Sequence, residues 1–165
     1  DGGDIRRIDF STLAGLSPFV LDDGSILFMR WEYNDKSLFD LQGLWTINPD
    51  GTRLRLFYGN TITNPNVIWQ AKQIPGTTRM LCTLGPHHGN PVGALGIIDP
   101  QYGVEDLRGL KNITPEYAYG PSRKWHPEGG PGDKQYTWAF RDPYPVSEDL
   151  FLAAYGGPVS DGPNR

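Results

Sequence analysis

A block of roughly 50 residues recurs along this chain, and that period limits what the chain can fold into more than any single motif does. Each copy reads as a Gly turn, an apolar strand, a polar loop, a second strand ending in an Asp/Asn-Pro turn, and an alternating basic strand. The fullest copy runs Ser17-Pro-Phe-Val-Leu-Asp-Asp-Gly-Ser-Ile-Leu-Phe-Met-Arg-Trp-Glu32. It continues through Leu44-Trp-Thr-Ile-Asn-Pro-Asp-Gly51 and Thr52-Arg-Leu-Arg-Leu-Phe-Tyr58. A period of this length is that of the blades of a β-propeller, each a four-stranded antiparallel sheet.

Composition supports an all-β chain. Glycine (21) and proline (15) are spread so that no window of a dozen residues carries apolar groups at helical spacing without a breaker. Closed propellers use about 4–8 blades, whereas 165 residues hold about three, so the expected fold is an incomplete ring of stacked blades. The expected segments are an outer strand of a preceding blade over 1–10, a full blade over 17–58, a second over 66–113, and the start of a third over 134–156. Inner strands near 26–29, 80–84 and 150–154 read as continuous apolar runs, which two-sided burial between stacked blades explains. The alternating Arg53-Leu-Arg-Leu56 suits a solvent-facing edge.

Charge narrows the partners. The net charge of −4 comes from interspersed acids and bases, leaving no basic stripe to release counterions from a nucleic acid. No apolar run approaches the ~20 residues of a membrane-spanning helix. The lone Cys82 lies within Met80-Leu-Cys-Thr-Leu84 and reads as a small buried hydrophobe, and no Cys-x-x-Cys-His run is present to attach a c-type haem. No cofactor is expected for this segment.

In four-stranded antiparallel blades, alternate connections lie on opposite faces, and the sequence treats the two sets differently. Short turns such as Asp22-Asp-Gly24, Asn48-Pro-Asp-Gly51, Pro75-Gly76 and Asp99-Pro-Gln-Tyr-Gly103 form one set. Longer loops with reactive side chains form the other: Arg30, Trp31, Glu32 and Asp35 from the first blade, His87 and His88 from the second, Trp125 and His126 from the later connector. These eight are the candidate ligand-binding residues. His87, His88 and Glu32 are the candidate metal ligands, although adjacent histidines on extended chain diverge and a tetrahedral site needs further ligands. The competing account is local: Glu32 and Asp35 pair with Arg30 or Lys36, and the histidines bond to neighbouring backbone. Trp45, Trp69 and Trp138 sit in strand contexts where packing between sheets accounts for them. The tract Asn60-Thr-Ile-Thr-Asn-Pro-Asn66 reads as turn chemistry.

Taken together, residues 26–37, 44–51, 57–60, 71–76, Pro86-His-His-Gly89 and 141–149 resemble a known group. The chain is similar to the propeller of planctomycete-type proteins related to the middle domain of the hydrazine synthase alpha subunit, and less closely to the propeller of the Tol-Pal system. The resemblance implies an exported, periplasmic or otherwise extracytoplasmic parent, with further blades or domains, a small ligand or a protein as partners. Hydrazine synthase works through c-type haems whose attachment cysteines are absent here, so the resemblance carries no catalytic residue to this chain. Two functions follow: a noncatalytic binding or scaffold segment, or one wall of an enzyme site completed elsewhere, redox or sugar- and small-molecule-active.

Overall fold

The apolar run Ile26-Leu-Phe-Met29 needs cover on both faces, and it lies in the second of four antiparallel strands. The structure, a computed structural model, describes residues 2–32, 41–87, 92–115 and 139–156. Strands β1 (Gly15–Val20), β2 (Ile26–Trp31), β3 (Gln42–Ile47) and β4 (Arg55–Tyr58) form one antiparallel meander. A second consists of β5 (Val67–Gln73), β6 (Met80–Gly85), β7 (Ala94–Ile98) and β8 (Leu110–Asn112). One parallel pair, Gln42 with Val67, joins β3 to β5, so the two meanders make a mixed eight-stranded sheet that does not close. Strands β9 (Ala139–Pro145) and β10 (Phe151–Gly156) form a separate two-stranded sheet.

The fold is all-β: no α-helix occurs among the described residues, only two single turns of 3-10 helix at Pro100–Tyr102 and Leu107–Gly109. Short polar side chains close the turns. Asp23 Oδ1 accepts from the Ser25 N–H at 2.9 Å and Oγ at 2.6 Å, beside Gly24 at φ 82°. Asp50 holds Thr52 in the same way at 2.9 and 2.7 Å. Such side-chain to backbone bonds fix a turn locally, without help from the core.

The core lies between the meanders. Leu27 and Met29 of β2 meet Val67, Ile68 and Ala71 of β5 and Met80, Cys82 and Leu84 of β6, all nearly or wholly buried. β6 is buried along its whole length, because β5 and β7 flank it and β9 packs on its far side. Tyr58 is also fully buried, and its hydroxyl donates to the Asp106 carbonyl at 2.9 Å, which satisfies the one polar atom its burial would otherwise strand.

One feature repeats in the hairpins β1–β2, β5–β6 and β9–β10. The first strand of each carries a bulge, and the bulged residue has positive φ: Ser17 (53°) in β1, Gln70 (54°) in β5 and Asp142 (51°) in β9. A bulge inserts one unpaired residue and increases local twist, so the three hairpins bend alike at matching register positions.

Three expectations from the sequence are corrected. The strand expected over 1–10 does not form in residues 2–14; instead this segment crosses the first meander, with Arg6 Nη2 donating to the Pro49 carbonyl at 3.3 Å and Ser11 Oγ accepting from Arg30 Nε at 2.8 Å. Ile5 is 89% exposed, so burial does not reward a strand there. The run 150–154 is not covered on both faces: Leu150 and Leu152 are exposed, because β10 pairs only with β9 among the described strands. The connection after Asp99 is longer than a tight turn, running through both 3-10 turns to β8; the Glu105 carboxylate within it accepts from the Asn60 and Thr61 N–H groups at 2.9 Å each.

Candidate functional site

β2 and β6 end on the same side of the sheet, and the side chains that follow them meet there. Trp31 closes β2, and its indole stands edge-on to the His87 ring with centroids 5.0 Å apart and planes at 63°. Gln42, which opens β3, bonds through Nε2 to His87 Nδ1. Gln42 is itself buried, and its backbone N–H donates to the Asn66 carbonyl at 3.1 Å. The imidazole is thus fixed by an indole on β2 and an amide on β3.

At the same end of β2 but on the other face of the sheet, Arg30 and Glu32 bridge at 3.1 Å, with side chains 16% and 19% exposed. The Arg30 guanidinium also lies 4.5 Å above the Trp45 ring and donates to Ser11 Oγ. An arginine stacked, bonded and paired at once has one orientation, which sets the position of the Glu32 carboxylate. The turns at Asp22-Asp23 and Asp50 lie at the opposite ends of these strands, before β2 and after β3.

Of the eight sequence-derived candidates, Arg30, Trp31, Glu32 and His87 therefore come to one end of the sheet. Asp35, His88, Trp125 and His126 lie outside the described residues, as does Trp138. Trp45 and Trp69 are in β3 and β5, as their strand contexts implied. Among the described residues no three His, Cys, Asp or Glu side chains gather as a metal site would require. Gln42 and Asn66 were not singled out in the sequence. Asn66 belongs to more than a turn, being buried, with Nδ2 donating to the Thr63 carbonyl at 2.8 Å. A polar residue directly preceding an apolar strand was the only available signal for Gln42.

A second polar cluster joins β5, β6 and β9. Gln70 Oε1 accepts from the Asp142 N–H at 2.8 Å and from Thr83 Oγ1 at 3.2 Å, while Gln70 Nε2 donates to Asp142 Oδ1 at 2.6 Å. Lys72 Nζ donates to the Pro143 carbonyl at 2.7 Å. Partial burial holds the Lys72 ammonium below the usual lysine range, an effect that nearby Asp142 opposes. Cys82 is wholly buried, and desolvation pushes its thiol far up, so it is no nucleophile in the folded chain.

Chemically, this end of the sheet offers an aromatic edge and an imidazole on one face and a fixed carboxylate–guanidinium pair on the other. Such groups suit holding a polar ligand.

The chain matches no protein-family model and no curated protein. It is similar in structure to hydrazine synthase from Kuenenia stuttgartiensis, with a TM-score of 0.64 and 19% sequence identity. The likeness covers 90% of this chain and only 17% of the hydrazine synthase chain, and at that identity it is a likeness of fold.

Proposed function

We propose that this chain is a noncatalytic binding or scaffold segment of a β-propeller, built of about three blades, within a larger exported protein. The observation that carries this reading is the matching bulge at Ser17, Gln70 and Asp142, since three hairpins bent alike and packed in series are the elements of a radial array. The structural likeness to part of hydrazine synthase supports it, and the motif resemblance to hydrazine synthase and Tol-Pal propellers supplies the extracytoplasmic setting. The partners are then the other blades or domains of the parent, with a small ligand or protein at the Trp31–His87 end.

A second reading, a wall of an enzyme site completed elsewhere, is favoured by the meeting of Trp31 and His87 where β2 and β6 end, with the Arg30–Glu32 pair at the same end of β2 on its other face. Substitution separates the two. In the whole protein, Glu32→Gln and His87→Gln should leave any turnover of the parent unchanged while weakening capture of its ligand. Loss of turnover of roughly a hundredfold with assembly intact, the usual scale for a lost acid–base group, would favour the enzyme instead.

A further inference from the structure

The matching bulges put the three hairpins into one register. Two residues beyond each bulge, Phe19 faces Leu27, Lys72 faces Leu81 and Tyr144 faces Leu152 across the strand pair. Leu27, Leu81 and Leu152 therefore occupy one structural position. Leu27 is 1% exposed and Leu81 0%, but Leu152 is 58% exposed and its cross-strand neighbour Tyr144 is 55% exposed.

The reason is what packs outside each leucine. β5 lies against β1 and β2, and β9 lies against β5 and β6; no described element lies on the outer face of β9–β10. The inner face of that hairpin, with Phe151 and Ala153, is the half-buried one. The opposite end of the stack is covered over its centre: Phe28 is 4% exposed beneath the segment that Ser11 anchors to Arg30, while Val20 nearer the turn stays exposed. A second copy stacking in the same direction would meet that crossing segment, and not a bare sheet face.

We infer that the Tyr144–Leu152 face is a docking surface for a further antiparallel sheet of the same build, supplied by the parent polypeptide. Its second strand presents an aliphatic face as β6 presents Met80, Cys82 and Leu84 to Leu27 and Met29. This rests on the ring reading above. The surface has the continuity of an existing interface: the leucine at this register position is buried in both preceding units, and burying it once more recovers apolar area of the same kind.

Thiol labelling of the whole protein tests it, because Cys82, the native thiol of this segment, is shielded. Leu152→Cys and Tyr144→Cys should each label roughly tenfold or more slowly than Leu107→Cys, which sits on an exposed connection. A photo-crosslinker at 152 should then join a strand elsewhere in the same polypeptide. Rates within about twofold of the Leu107→Cys control at both positions would overturn the inference, since an open face gives no protection. So would crosslinks between two copies, to a helical segment, or to residues 116–138 or 157–165. A whole-protein structure without a ring, in which a sheet still covers Leu152, would sink the ring reading and leave this one standing.

Discussion

Gln70 and Asp142, each at the positive-φ bulge of its own strand, are locked together: the Gln70 amide accepts from the Asp142 N–H at 2.8 Å and donates to its carboxylate at 2.6 Å. The bulges free these backbone groups from the strand ladders, and the Gln70 side chain replaces the lost partner. The second meander thereby holds the β9–β10 hairpin, assisted by Lys72 on the Pro143 carbonyl and by the pairing of Gly93 with Phe140.

The first prediction concerns this clasp. Gln70→Ala leaves the Asp142 N–H and carboxylate to water and should loosen the hairpin by about 1–2 kcal/mol, the net worth of one or two such bonds. Hydrogen exchange should quicken in β9 and β10 and stay unchanged in β2 and β3. Equal acceleration in all four strands would show that Gln70 acts on global stability instead.

A second concerns Gly93, whose N–H donates to the Phe140 carbonyl at 2.9 Å and whose carbonyl accepts from the Phe140 N–H at 3.0 Å. A Cβ at this position would collide with the Leu84 carbonyl oxygen, a backbone atom that cannot swing aside. Gly93→Ala should therefore cost about 1–3 kcal/mol through forced backbone displacement. Chemical denaturation measures the loss, and an unchanged midpoint would refute the close approach.

The third is a pH dependence. The Arg108 guanidinium and backbone N–H bond to the Asp106 carboxylate and hold it down to about 2, below its ordinary 3.8. A depressed folded value means stability that is present above 3.8 and lost as the pH falls toward 2. Asp23 and Asp50 are lowered too, by Ser25 and Thr52, and act in the same direction. The melting temperature should fall as acid is added across that window, and Asp106→Asn should flatten part of the fall. A variant with the full wild-type slope would exclude Asp106 as a contributor.

The strands and turns were legible because their causes are local. Apolar runs at 26–29 and 80–84 marked strands buried on both faces, and Asp-Gly, Pro-Gly and Asn-Pro-Asp-Gly marked the reversals between them. That β2 and β6 finish on one side followed from the order of an antiparallel meander; that Trp31 meets His87 there while Arg30 and Glu32 pair on the other face did not. The same apolar reading of 150–154 gave a strand but the wrong burial, because a run records what a strand can bury and not what lies beside it.

What the sequence determined, then, was the succession of strands from β1 onward and the short turns at Asp22–Gly24, Asn48–Gly51 and Pro75–Gly76, fixed by side-chain periodicity and by residues that bond to their own backbone. The tertiary structure alone decided the bulges at Ser17, Gln70 and Asp142, the Gln42 bond to His87, and the crossing of residues 2–14 over the first meander. The Gln70–Asp142 clasp, the Gln42–His87 bond and the crossing segment depend on groups 19 to 72 residues apart meeting across packed sheets, where a positive φ or a buried amide is offset by a partner from another strand.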